Sequence, residues 1–351
     1  MRGFPTPSAS PVDQLMRPLR DVRLSVTDRC NFRCSYCMPA EIFGPHFAFL
    51  PRAELLTFEE LALVARELVA LGARTLRITG GEPLVRRDLE QLVALLRALD
   101  SSEALGGEPL DIALTTNGSL LAKLAAPLRA AGLNRITVSL DSLNPATFTR
   151  MSGSALPLES VLEGIDAATA AGFTNIKLNA VIRRGVNDAD VPALAAFARE
   201  GGHTLRLIEY MDVGSSNGWR LDEVVPAIEI LAQLHALHPL EPLAPSRPGE
   251  VANRYRYLDG RGEIGLIASV SAPFCGDCTR ARVSADGHLY TCLFASEGSD
   301  LKRYLRPTPD AVALRDALHA RWSARDDRYS EIRDSETANR LPKVEMFRVG
   351  G

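Results

Sequence analysis

The stretch Arg23–Pro39, RLSVTDRCNFRCSYCMP, joins a short β-strand pattern to three cysteines spaced C-x3-C-x2-C. α/β proteins carry their chemistry in loops at the carboxyl ends of parallel strands, which is where this group falls. The first group consists of Cys30, Cys34 and Cys37. The second group, spaced C-x2-C-x13-C, consists of Cys275, Cys278 and Cys292. The six cysteines of the chain are thus divided three and three.

Three thiols in each group suggest a metal centre with one open position. A [4Fe–4S] cluster normally takes four Cys ligands, so a triad leaves one iron free to bind something else. Two triads therefore predict two [4Fe–4S] clusters. Structural zinc prefers four closed ligands, which His46 or His288 could complete, although neither has the usual spacing. Disulfides would leave an odd cysteine in each group.

Outward from this stretch, six β-strand patterns alternate with helical segments up to Met211. The predicted strands cover 22–27, 74–79, 110–116, 135–141, 176–182 and 204–211. The clearest predicted helix covers 58–71. It opens with a capping box at Thr57 and Glu60, and Leu56 with Leu61 fits a hydrophobic staple. Repeated β-then-α units predict a parallel sheet, because parallel strands need crossover connections.

Each predicted strand is apolar on one face and polar on the other. In the first strand, Val22 and Leu24 oppose Arg23 and Ser25. A parallel sheet buried on both faces would be apolar throughout, and a closed eight-stranded barrel fills its interior with apolar residues. We therefore predict an α/β fold with an incomplete, TIM-like (βα)6 barrel whose polar lumen holds a polar ligand. An open sheet with one solvated face is the alternative.

The pattern changes after residue 212, and we interpret the rest as a C-terminal extension that carries the second cysteine group. A helix is predicted near 225–238, a Pro-rich linker, HPLEPLAPSRPGE, covers 238–250, and short strands are predicted at 254–258 and 264–270. The expected organisation is a flexible lead-in at 1–19, the barrel at 20–211, the second-cluster region at 212–335 and a tail at 336–351 ending in Gly-Gly.

Composition narrows the class of partner. The chain has 40 Lys plus Arg against 43 Asp plus Glu, a net charge of -3. Nucleic-acid and membrane-surface binders carry a basic excess, so we expect neither partner. The sequence has no apolar stretch long enough to span a membrane and no secretory signal at its start. We therefore expect the protein to be cytoplasmic. In that reducing compartment, clustered cysteines more often bind metal or do redox chemistry than form disulfides.

C-x3-C-x2-C with Tyr36 before its last cysteine, and TGGEP at 79–83, resemble the radical S-adenosylmethionine superfamily. A narrower set of motifs resembles the GTP 3',8-cyclase family of molybdenum cofactor biosynthesis. These motifs are RLSVTDRCNFRCSYCMP, LRITGGEPLVRRDL, TTNG, VSLDSL, RLIEYMDVG, GEIGLI, FCGDCTRARVSADGHLYTCLF and the terminal GG. They span roughly residues 20 to 351.

The resemblance implies two [4Fe–4S] clusters, one that binds S-adenosylmethionine and one at the substrate. It also implies a radical that takes a hydrogen atom from C3' of the GTP ribose, after which C3' bonds to C8 of the guanine. It implies that Cys30, Cys34 and Cys37 hold the first cluster and Cys275, Cys278 and Cys292 the second. The S-adenosylmethionine contacts would be Tyr36, Gly81, Ser139 and Met211. The GTP contacts would be Arg23, Arg77, Thr115, Lys177, Arg206, Arg280 and Arg282. The catalytic set would be Arg23, Arg280, Arg282, Gly350 and Gly351, with the two glycines reaching the active site.

The expected partners follow from the same resemblance: GTP, a downstream cyclic pyranopterin monophosphate synthase, an unidentified electron donor and a second copy of the chain in a homodimer. One position departs from the family pattern, which has a lysine two residues before the arginine of RITGGEP. This chain has Thr75 there, which puts one phosphate contact in doubt.

The basic residues also fit a polyanion without the resemblance. Arginine matches phosphate with a planar fork and stays ionised. Arg280 and Arg282 are two apart, so they share a face of an extended segment, and Arg23, Arg77, Lys177 and Arg206 fall on the polar face of four different strands. Two alternatives stay open: another radical S-adenosylmethionine enzyme, such as a peptide-modifying one, and a non-catalytic zinc-binding scaffold.

Overall fold

The computed structural model of the chain describes residues 10–99, 109–333 and 342–350. Parts of the expected lead-in and tail, including Gly351, lie outside the described residues. The strands are β1 Asp21–Ser25, β2 Thr75–Thr79, β3 Asp111–Thr116, β4 Arg135–Ser139, β5 Lys177–Ile182, β6 Thr204–Glu209, β7 Leu240–Leu243, β8 Asn253–Tyr257, β9 Glu263–Ile267, β10 Arg280–Val283, β11 His288–Tyr290 and β12 Ser299–Asp300. The helices are α1 Phe58–Ala70, α2 Leu89–Arg97, α3 Leu121–Ala130, α4 Pro145–Ser152, α5 Glu159–Ala170, α6 Val191–Glu200, α7 Ala227–Leu237, α8 Ala311–Ser323, α9 Tyr329–Ile332 and α10 Met346–Val349.

The first predicted helix begins as the sequence indicates. Thr57 Oγ1 accepts a hydrogen bond from the Glu60 backbone N–H at 3.1 Å, and Glu60 Oε2 accepts one from the Thr57 N–H at 2.7 Å. This capping box satisfies two N–H groups that the first turn would leave unpaired. Leu56 and Leu61 are both fully buried, as a hydrophobic staple requires.

The strands form one sheet, in the order β12-β11-β10-β1-β2-β3-β4-β5-β6-β9-β8-β7 within the described residues. The six predicted βα units are confirmed, and β1 to β6 are parallel neighbours. Two further parallel strands, which the sequence did not predict as neighbours, flank them. β10 pairs with β1 and β9 pairs with β6, so the C-terminal region supplies a strand to each edge of the barrel. The domain boundary at 211/212 stays a prediction.

The sheet is strongly curved. In a flat sheet, seven spacings of about 4.8 Å would separate β10 from β9 by about 34 Å. Instead, Ile267 of β9 and Arg282 of β10 line the same cavity. The polar faces of the strands turn toward this cavity, while the apolar faces pack under the helices in one core that includes Val22, Leu24 and Leu76. The incomplete barrel with a polar lumen is therefore confirmed.

Candidate active site

The cavity inside the barrel has a volume of ≈ 550 Å³, and both thiol triads line it. The first triad enters from the loop after β1. Cys275 and Cys278 of the second triad enter from the segment before β10, and Cys292 follows β11. All six cysteines are free and partly buried. Two groups that lie more than 230 residues apart in the sequence thus share one chamber.

The first triad suits a cationic metal cluster. Burial raises the pKa of Cys30 to about 12 and raises those of Cys34 and Cys37 as well. Buried thiols this weak in acidity become thiolates only when a positive centre binds them. The three thiolates of a cubane bind three different irons, so they need not meet at one point.

The zinc alternative would need a fourth ligand from His46 or His288. Across the described ranges, no three or more His, Cys, Asp or Glu side chains are gathered to hold one metal ion. His46 is exposed, and His288 pairs with Asp286 at 3.4 Å. Neither histidine lines the cavity.

The second triad lies beside cations. Burial alone would raise the pKa of Cys278, but the charges of Arg280 and Arg325 outweigh it and lower the pKa to about 6. Arg280 Nη2 lies 3.3 Å from Cys278 Sγ. Burial raises the pKa of Cys292 to about 11. At neutral pH, Cys278 of the second triad is therefore mostly in the thiolate form, which is the form that binds metal.

The residues expected to contact S-adenosylmethionine line the same cavity as the first triad: Tyr36, Gly81, Ser139 and Met211. Gly81 follows β2 and packs against the cysteine loop, where a Cβ would lie 2.4 Å from the Arg29 carbonyl oxygen. Its lack of a side chain is thus needed to bring the TGGEP turn against that loop.

Sequence reasoning missed the carboxylate that orients Tyr36. Tyr36 Oη donates a hydrogen bond to Asp141 Oδ2 at 2.8 Å, and the Val181 N–H donates to Asp141 Oδ1 at 2.9 Å. Burial raises the pKa of Asp141 to about 6. The residue stood in the VSLDSL motif, but nothing in that motif alone indicates its partner.

The residues expected to bind GTP also line the cavity: Arg23, Arg77, Thr115, Lys177, Arg206, Arg280 and Arg282. Three of the arginines are direct neighbours across strands, since Arg23 pairs in register with Arg282 on one side and Arg77 on the other. Like charges placed opposite one another destabilise a sheet. An anion bound between them would remove this repulsion.

Burial and mutual repulsion depress the pKa values of the cations in this group other than Arg280. Burial also acts against the charge of Arg280, but the neighbouring Cys278 outweighs it and raises the pKa of Arg280. Burial first, then neighbouring arginines, lower the pKa of Arg77 to about 9 and that of Arg282 to about 10. The pKa of Arg23 falls well below its usual range, again mainly through burial and then through Arg282. Thr115 contributes by accepting a hydrogen bond from Arg77 Nη1 at 3.0 Å.

Two further cations, Arg135 and Arg247, also line the cavity. The sequence analysis assigned no role to either of them. Arg135 Nε donates to Asp111 Oδ1 at 2.8 Å. Strand alternation could have found Arg135, which shares the polar face with Ser139 in β4. Arg247 comes from the Pro-rich linker, where no periodic pattern points to it.

The C-terminal tail, residues 342–350, contacts Arg23 and Arg282, two of the arginines that neighbour each other across the strands. Arg23 Nη1 donates to the Gly350 carbonyl oxygen at 3.0 Å, and Arg282 Nη1 donates to the same oxygen. Gly350 has φ 74°, and a Cβ there would lie 2.1 Å from Thr79 Cγ2. The expected approach of Gly350 to the site is seen; Gly351 lies outside the described residues.

A buried cluster of hydrogen bonds around Asp212, which the sequence did not indicate, anchors the tail. Asp212 Oδ2 accepts hydrogen bonds from Tyr329 Oη and Lys343 Nζ, both at 2.6 Å, and Oδ1 accepts one from Arg333. The Asp212, Lys343 and Arg333 side chains are almost fully buried. Asp212 directly follows Met211, so the tail is anchored beside the expected S-adenosylmethionine contact.

Comparisons with known proteins agree with this geometry. A family model described as Radical SAM superfamily matches residues 24–198, and one described as Molybdenum Cofactor Synthesis C matches residues 203–331. The GTP 3',8-cyclase of Acidothermus cellulolyticus is 57% identical to this chain, covering 97% of the chain and 98% of the relative. Those of Xanthomonas axonopodis pv. citri and Staphylococcus aureus are 52% and 46% identical, with the same coverage.

Among solved structures, Streptococcus suis SuiB bound to the precursor peptide SuiA matches with a TM-score of 0.57. It is 14% identical, and the match covers 90% of this chain and 66% of that one. This likeness supports the fold alone. Both halves of the chain and its full-length relatives point to one assignment: the chain belongs to the radical SAM superfamily and, within it, to the GTP 3',8-cyclase family.

Proposed function

We propose that the chain is a GTP 3',8-cyclase. It converts GTP into (8S)-3',8-cyclo-7,8-dihydroguanosine 5'-triphosphate with S-adenosylmethionine, the first step of molybdenum cofactor biosynthesis. The observation that carries this proposal is the shared cavity, because two thiol triads and a row of cations line the same chamber.

Cys30, Cys34 and Cys37 would hold the first [4Fe–4S] cluster, and Cys275, Cys278 and Cys292 the second. When bound at the first triad, a reduced cluster supplies the electron that cleaves S-adenosylmethionine and begins the radical reaction. Gly81, Ser139 and Met211 would bind that molecule, and Tyr36 would do so in the orientation that Asp141 sets. The chain's own contribution is to position the reactants and to exclude side reactions.

The cations would hold the triphosphate. Arg77, Lys177 and Arg206 lie on three strands of the lumen. The charges of Arg206 and Arg77 act on Lys177, and that of Arg206 acts on Arg77. A bound triphosphate compensates several positive charges at once, which returns their pKa values toward the usual range. Thr115 would keep the Arg77 fork oriented toward the ligand.

Arg23, Arg280 and Arg282 would act nearer the reacting part of GTP. Arg280 adjoins a thiol of the second triad, and the Gly350 carbonyl holds both Arg23 and Arg282. We propose that the tail fixes the directions of these two arginines, so that Gly350 acts as a positioning residue.

The finer assignments are proposals that rest on family membership. The product would pass to a cyclic pyranopterin monophosphate synthase, an electron donor would reduce the clusters, and the chain would act as a cytoplasmic homodimer. Among the described residues, no helix combines the length and apolar character needed to cross a bilayer.

The test is anaerobic reconstitution followed by incubation with GTP, S-adenosylmethionine and a chemical reductant. We expect about eight irons with matching sulfide per chain. We also expect 5'-deoxyadenosine together with a cyclised nucleotide of unchanged mass relative to GTP. Two zinc ions without sulfide would reject the proposal, as would cleavage of S-adenosylmethionine with no change to GTP.

Two serine variants separate the triads. Cys30→Ser should lose about four irons and all cleavage of S-adenosylmethionine. Cys278→Ser should also lose about four irons but keep cleavage while losing the cyclised product. Identical behaviour of the two variants would contradict the assignment of separate clusters.

A further inference from the structure

The loop 246–250 lines the cavity and contacts the amino ends of β1 and β2, whereas the first triad follows the carboxyl end of β1. Ser246 N and Oγ both donate to Glu250 Oε2, at 2.7 and 2.9 Å, which holds the loop in a tight turn. Gly249 has φ 77°, and a Cβ there would lie 2.6 Å from Thr279 Oγ1. The loop is therefore packed closely against the segment that leads from the second triad into β10.

This loop brings Arg247 into the cavity at the start of β2. Arg247 Nη1 donates to Thr75 Oγ1 at 2.9 Å, and Nη2 donates to Asp21 Oδ1 at 3.0 Å. Thr75 is buried and stands two residues before Arg77, so both side chains are on the lumen face of β2. The guanidinium thus reaches the strand position where a cation would neighbour Arg77.

The Thr75 hydroxyl orients Arg247. It accepts from the guanidinium and donates to Asp111 Oδ2 at 3.3 Å. A guanidinium has five N–H donors, and within the described part of the chain two of the Arg247 nitrogens make the bonds to Thr75 and Asp21. The remaining donors are available to an anion in the lumen, which Arg247 also lines.

The charge of Arg247 reaches one of the cations expected to bind GTP, because it contributes to the lowered pKa of Arg206. Asp21 serves as its counterion at the rim, where the Arg247 side chain is 44% exposed. An arginine paired at one edge and open toward a basic lumen is suited to bidentate phosphate recognition.

We propose that Arg247 is a phosphate-binding residue of the nucleotide site, supplied by the linker loop and oriented by Thr75. The inference rests on the proposed function. It also explains the departure at position 75: the threonine is the acceptor for a cation that comes from another part of the chain.

The test compares Arg247→Gln with the wild-type holoenzyme, reconstituted anaerobically, by calorimetric titration with GTP, GMP and inorganic tripolyphosphate. Loss of a hydrogen-bonded charge contact predicts about ten-fold or more weaker binding of GTP and tripolyphosphate. GMP, which lacks the outer phosphates, should lose much less. Arg254→Gln is the matched control, because Arg254 pairs with Glu263 and does not line the cavity.

A second variant supplies the cation from the strand instead of the loop. The double variant Thr75→Lys with Arg247→Gln should recover most of the affinity that Arg247→Gln loses, at unchanged iron content. Unchanged GTP affinity in Arg247→Gln, an equal loss for GMP and GTP, or no recovery in the double variant would overturn the role of Arg247. These outcomes are distinct from failure of the proposed function, in which the wild-type protein itself would neither bind nor cyclise GTP.

Discussion

Lys177 should take up a proton when GTP binds. This lysine begins β5 and faces the cavity among other cations. Burial, then the charges of Arg206, Arg135 and Arg77, lowers its pKa from 10.5 to about 7. At pH 8 the free protein would therefore hold this lysine mostly neutral, about one-tenth protonated.

The size and sign of the effect follow from linkage. The triphosphate favours the charged amine, so its binding should return the pKa toward 10.5 and take up about one proton at pH 8. Because the bound state holds the extra proton, affinity should fall as pH rises, by about eight-fold between pH 7.5 and 8.5. The same lysine in ligand-free protein has a folded pKa below its unfolded one. Its contribution should therefore make the fold more stable as pH rises from 7 toward 10.5.

Calorimetric titration of the reconstituted protein with GTP at pH 8, in two buffers of different ionisation enthalpy, measures the proton uptake directly. Lys177→Arg is the matched variant, because arginine stays protonated and keeps the positive charge. It should bind GTP with little or no proton uptake. Wild-type binding without uptake, or the same uptake in Lys177→Arg, would refute the assignment of the proton to this lysine.

Two further predictions concern the tail. Asp212→Asn should lower the free energy of unfolding by about 3–5 kcal/mol, because it removes a buried carboxylate shared by Lys343 and Tyr329. It should also speed amide hydrogen exchange in the C-terminal tail, and unchanged exchange there would contradict the anchoring role. Gly350→Ala should displace the tail carbonyl, since φ 74° costs an alanine about 1–2 kcal/mol and its Cβ would overlap Thr79. Cyclisation should then fall at unchanged iron content, whereas full turnover would show that the tail position does not matter.

The sequence predicted the barrel and its lumen because both depend on local periodicity. A strand alternates its side chains with a period of two, so Arg77 and Ser139 could be placed on the inner face without knowing the neighbouring strands. The cysteine groups were equally readable, because their function depends on spacing within short segments. These features survive in the structure with strand ends shifted by one or two residues.

The features that the sequence did not predict depend on contacts between segments that are distant in the chain. β10 is only four residues long, and nothing in its sequence indicates that it pairs with β1. Arg247 meets Asp21 across 226 residues, from a linker with no periodic pattern. The partners of Asp212 are likewise supplied by α9 and the tail, so its burial could not be foreseen from RLIEYMDVG.

These distant contacts explain how the free protein tolerates a row of arginines. Three of the four arginines are held by a group from another segment: Arg77 by Thr115, and Arg23 and Arg282 by the Gly350 carbonyl. The fourth, Arg280, is held by Cys278, two residues before it. Such partners satisfy N–H donors without fully cancelling the positive charge. The lumen therefore keeps the positive potential that draws in a triphosphate. Because β10 carries Arg280 and Arg282 and begins two residues after Cys278, loss of its pairing with β1 should impair nucleotide binding as well as the second cluster.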